Sequence, residues 1–135
     1  MSRAGRLAAW IVLVIAAVGV AGCTSLDDRL QQHREKLESL ESSTAAIGEA
    51  WLAGSTSGTY TRTALQQMFL LVEQERRALT SAPEALLDAR GAELSQSAER
   101  LSRLLAAMMH DVEAADAVSV RQRLTTIPIV PSERR

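Results

Sequence analysis

Apolar residues recur in this chain at spacings that alternate four and three, which commits most of it to long helices packed along seams. The first run reads Leu26, Leu30, His33, Leu37, Leu40, Thr44, Ile47 and Trp51. The last reads Leu87, Gly91, Leu94, Ala98, Leu101, Leu105, Met108, Val112 and Ala115. Between them, Leu65, Met68, Phe69, Val72 and Leu79 mark the inward face of a second helix. Aromatic residues are only 3 % of the chain, so the core these seams build is thin and rests on leucine. A single cysteine rules out an internal disulfide as a substitute for core.

Local signals divide the chain from residue 26 onward into three predicted helices, at about residues 26–53, 60–80 and 82–118. Ser25 suits an N-cap, and Asp27 and Asp28 follow in the first turn, where the helix dipole favours acids. The GSTSG sequence at 54–58 suits a turn. Ser81 and Glu84 have capping-box spacing around Pro83, a residue tolerated in a first turn. Gly48 and Gly91 are the weak points of their helices. Pro128 disfavours helix at Ile127, so residues 125–135 are expected to be an extended or disordered tail.

Short connections make consecutive helices antiparallel neighbours. The expected fold is therefore all-α, an elongated antiparallel three-helix bundle with coiled-coil-like seams over residues 26–124. A third helix of about 35 residues is about 50 Å long at 1.5 Å per residue. Such a helix is expected to overhang the second and leave part of its seam open to a partner or a second copy.

The N-terminus has a separate character. Arg3 and Arg6 precede an uninterrupted apolar stretch at residues 7–20, and no acid occurs before Asp27. Charge, then apolar stretch, then small residues is the order of an export signal. The next residues are Val20, Ala21, Gly22 and Cys23. This resembles the lipobox of bacterial prolipoproteins: an aliphatic residue, two small residues and a cysteine. Valine stands where leucine is commoner. The resemblance covers the first 23 residues alone. It implies cleavage before Cys23, a diacylglycerol on the Cys23 sulfur, and residues 23–25 as a linker from lipid to fold.

The alternative is an uncleaved transmembrane helix, because about 20 residues without charge just span a bilayer. Both readings keep Arg3 and Arg6 on the cytoplasmic side. Thr24 stands where an aspartate retains enterobacterial lipoproteins in the inner membrane. The resemblance therefore implies an outer-membrane anchor facing the periplasm, if the cell is Gram-negative.

Removing residues 1–22 lowers the basic count from 15 to 13 against 16 acids, a mature net charge of −3. That balance argues against a nucleic-acid partner. None of the hydrolase, phosphate-loop, metalloprotease or haem-attachment signatures is present, so an enzyme is not expected. No cofactor is expected beyond the lipid on Cys23. The expected role is a helical interaction, adaptor or structural module, held at the membrane by its acyl anchor and working through a protein partner or a second copy.

A sensor for a soft metal or small ligand is the competing expectation. Met108, Met109 and His110 offer thioether and imidazole donors that suit Cu(I). Successive helical residues point about 100° apart, however, which works against their convergence. His33 sits on a seam, where a polar residue more often sets helix register. Glu73, Glu75, Arg76 and Arg77 are expected to form a solvated cluster, with Arg76 nearest the seam. Trp51 and Tyr60 flank the 54–58 loop and are expected to pack across that end.

Overall fold

The computed structural model describes residues 25–128, and these form five helices packed against one another. They are α1 (Leu26–Leu52), α2 (Gly58–Thr80), α3 (Pro83–Leu87), α4 (Ala89–Glu113) and α5 (Ala117–Leu124). The lipobox with Cys23, and residues 129–135 of the tail, lie outside the described residues. Among the described residues no helix is long and apolar enough to cross a membrane. The stretch at 7–20 is not among them.

Each end of α1 follows from its sequence. Ser25 is extended, and its Oγ accepts a hydrogen bond from the Asp28 N–H at 3.2 Å. Asp27 and Asp28 sit in the first turn as expected. At the far end Gly54 takes a φ of +74°, a conformation glycine adopts without strain. The Gly54 and Ser55 N–H groups donate back to the carbonyls of Trp51 and Ala50 at 3.0 and 2.9 Å. Those bonds satisfy carbonyls that the helix end leaves unpaired. Ser57 caps α2, accepting from the Tyr60 N–H at 3.2 Å, so this helix begins two residues before the expected position.

The capping box expected at Ser81 does not form. Pro83 drives the residue before it out of the helical region, and Ala82 adopts φ −109°, ψ 92°. Ala82 therefore takes the cap position, without a side chain able to fill it. Ser81 stays on α2 as its C-cap, and its Oγ donates to the Ala78 carbonyl at 3.0 Å.

The single helix expected at 82–118 is broken twice, each time at an aspartate. Asp88 is extended, and its Oδ1 accepts from the Arg90 N–H at 2.9 Å, starting α4 afresh. Leu87, expected in the seam, is 89 % exposed as a result. Gly91 makes this corner fit, because a Cβ there would lie 1.8 Å from the Ala85 carbonyl oxygen.

The second break follows Glu113. Ala115 has φ 53°, and the Asp116 N–H donates to the Asp111 carbonyl at 2.8 Å, closing α4. Ala115 is thus an exposed turn residue, not a seam member. Asp116 then caps α5 through the N–H and hydroxyl of Ser119, at 3.0 and 2.6 Å. Helix α5 folds back onto α1 and α4 and buries Val120 completely. The expected overhang is absent from these residues, because α5 covers what would have been exposed. The tail also starts later than expected, since Ile127 is buried at 5 % exposure.

Within the core, α2 and α4 pack most extensively. Leu65, Val72, Leu79, Leu105 and Met108 are wholly buried there. Gly48 lets Met108 and Leu124 approach α1, since a Cβ at that position would lie 2.8 Å from Met108 Cε. Trp51 packs on the core, whereas Tyr60 is 64 % exposed and does not close that end.

Candidate functional site

The seam itself carries the first polar constellation. Glu75 follows Val72 by three residues and precedes Leu79 by four, which places it among the buried residues of α2. His33 Nδ1 donates to Glu75 Oε2 at 2.7 Å, and Lys36 Nζ donates to Oε1 at 3.1 Å. The register-setting role expected of His33 thus has a definite partner across the α1–α2 interface. The solvated cluster expected around it needs correction. Glu75 is the seam residue, and Arg76 lies outside it, 40 % exposed at the side chain and paired with Glu73 at 2.8 Å. Glu73 also accepts from Ser102 Oγ of α4 at 2.8 Å, linking α2 to α4.

Burial pushes the Glu75 carboxyl up, but hydrogen bonds from His33 and Lys36 and their charges outweigh it, leaving its pKa below the ordinary 4.5. A depressed folded pKa contributes stability above the unfolded value, lost as pH falls through the folded one. Unfolding midpoints in urea are therefore expected to hold from pH 7 to about pH 5 and then fall below 4.5. Glu75→Gln is expected to reduce that acid-dependent loss. An identical pH profile for the variant would show that the triad contributes nothing. The exposed Asp88 carboxyl, lowered to about 2 chiefly by the Arg90 side chain, loses its own contribution between its ordinary 3.8 and about 2, a part of the profile that wild type and variant share.

The second constellation is a groove of about 360 Å³ between α1, α4 and the α5 end. Leu101, Leu104 and Ile127 form its floor, and Arg100, Arg103 and Arg123 stand around it. Arg123 Nε is held by Asp111, which is buried at 6 % exposure. Arg103 pairs with Glu99, one helical turn earlier. Arg100 donates to Ser97 Oγ at 2.9 Å. Opposite stands Glu41, whose pKa is raised by burial and by Glu38, against the pull of Arg100. Arg103 and Arg123 are each paired with a carboxylate, so over this apolar floor Arg100, bonded to a hydroxyl, is the guanidinium placed to receive an incoming carboxylate. No sequence motif announces the groove, because its residues come from three helices.

The residues expected as a soft-metal site are not brought together. Met108 is wholly buried in the core, Met109 is partly buried and His110 is exposed. Asp111, next along the chain, is committed to Arg123. Among the described residues no group of three or more His, Cys, Asp or Glu converges. His33 and His110 do not meet, since His33 faces Glu75 while His110 lies in the last turn of α4.

No family model, no curated protein and no solved structure matches the chain.

Proposed function

We propose that this is a lipid-anchored protein of the bacterial envelope. It works as a helical bundle, built on the three long helices α1, α2 and α4 with α5 folded back on them, that presents a contact surface to a protein partner. The observation that carries the reading is the sequence Val20-Ala21-Gly22-Cys23, which closes an apolar export signal. Support comes from the position of the fold: α1 begins at Leu26, capped by Ser25, so the packed region starts directly behind the acylated residue. Two or more acyl chains hold such a protein stably, where one alone is marginal. The anchor raises the bundle's effective concentration for anything in the same membrane.

The covered seam on α4 no longer serves as the contact surface. The groove beside Arg100 takes its place, an apolar floor with one guanidinium at its rim that suits an apolar segment carrying a single carboxylate.

Detergent phase separation of cells expressing the full chain tests the reading. Wild type is expected in the detergent phase, and Cys23→Ala is expected to leave it or to accumulate unprocessed. Equal partitioning of processed forms of both would overturn the acyl anchor.

A further inference from the structure

One end of the bundle combines three features that the rest does not. The first is the attachment point. Ser25, the N-cap of α1, follows Cys23 by two residues, a chain length of about 7 Å at most. The second is a set of ion pairs that fix the α3 corner beside that start. Arg29 of α1 pairs with Glu84 of α3 at 3.3 Å, and Asp27 of α1 pairs with Arg90 of α4 at 2.6 Å. The third is what the corner displays. Leu86 is 40 % exposed and Leu87 is 89 % exposed, while Ala85 of the same short helix is the residue it buries. The extended backbone at Asp88 and the close approach of Gly91 to Ala85 hold Leu87 outward.

We propose that Leu86 and Leu87 enter the interface of the membrane to which Cys23 is anchored, forming a second contact that sets the bundle end-on to the lipid. This proposal rests on the lipid-anchor reading. The occupant follows from covalent distance: a chain tethered at Cys23 brings the bilayer surface to this end before any other. The exposed Val118, by contrast, lies just after α4 has run its length away from that corner.

Charge narrows the kind of surface. Five acids, Asp27, Asp28, Glu84, Asp88 and Glu93, stand against three bases, Arg29, Arg77 and Arg90, at this end, so anionic headgroups do not attract it. The contact is apolar, suits a zwitterionic surface, and depends on the tether for its effective concentration. Two leucines without the anchor are too little to hold the domain on a bilayer.

The test uses the full chain, processed in cells and reconstituted into vesicles of phosphatidylethanolamine with a minor share of phosphatidylglycerol. Leu87→Cys and, separately, Val118→Cys receive an environment-sensitive fluorophore, the Cys23 sulfur being blocked by its own lipid. Both positions are well exposed, so neither substitution threatens the fold. Lipids brominated high on the acyl chain are expected to quench the label at 87 by about half or more, as for a group seated roughly 5–10 Å into the interface. The label at 118 is expected to stay unquenched. Equal quenching at both positions, or none at 87, overturns the end-on contact while the anchor stands. An intact mass lacking lipid on Cys23 in the same sample removes the anchor reading, and this proposal with it.

Discussion

Gly91→Ala is expected to destabilise the protein by about 3 kcal/mol, near the upper end of what overpacking a filled site costs. The added Cβ would lie 1.8 Å from the Ala85 carbonyl oxygen and 2.6 Å from its carbon. Those are backbone atoms, so no rotamer change relieves the clash. Relief requires α3 to move, and α3 is tied to α1 through Glu84 and to α4 through the peptide at Asp88. Helix propensity works the other way, favouring alanine over glycine by about 1 kcal/mol, and the clash outweighs it. Gly48→Ala is the comparison. There the nearest atoms, at 2.8 and 2.9 Å, are the ends of Met108 and Leu124, which can turn aside. Its cost is expected to stay within about 1 kcal/mol. Urea unfolding followed by circular dichroism reads both. A neutral Gly91→Ala would mean that the α3–α4 corner is not packed as described.

Arg123→Met is expected to lower stability by about 2 kcal/mol and to release α5 from the bundle. The substitution keeps the apolar stem and removes the guanidinium, leaving Asp111 buried at 6 % exposure without its partner. Breaking a fully buried pair costs about 3–5 kcal/mol. Arg123 is 39 % exposed at its side chain, so solvent screening reduces the figure here. Amide exchange is expected to quicken across α5, including Val120, while α2 keeps its protection. Adding Asp111→Asn to Arg123→Met is expected to cost less than the two single effects combined, because the charge left unpaired is then gone. Strict additivity would show that the pair does not hold α5 in place.

What the sequence made legible was periodicity. Leu30, Leu37 and Thr44 of α1, and Leu94, Leu101, Leu105 and Met108 of α4, are buried where four-three spacing puts them. Ser25 caps α1 because its signal is local, a hydroxyl three residues from an N–H. Glu75 was equally legible and was missed through residue type. The step from Met68 to Val72 is four, so three was due next, and position 75 carries a carboxylate instead of an apolar group. Its burial depends on His33 and Lys36, which are about 40 residues distant and invisible to a local pattern.

The two helix breaks were obscured for a different reason. Leucine and alanine continue the seven-residue pattern through Leu87 and Ala115, although the backbone turns at Asp88 and at Ala115. The available signal was Asp88 and Asp116, each able to accept from an N–H two or three residues onward and restart a helix. The groove was beyond reading, because Arg100, Arg123 and Glu41 converge only once α5 folds back.

The intact mass of the membrane-extracted protein is the decisive test of the lipid anchor. A chain beginning at Cys23 is expected, without residues 1–22 and with the mass of a diacylglyceryl group, alone or with a further N-terminal acyl chain. A full-length chain of unmodified mass, still in the membrane, would contradict it and make residues 7–26 an uncleaved anchor.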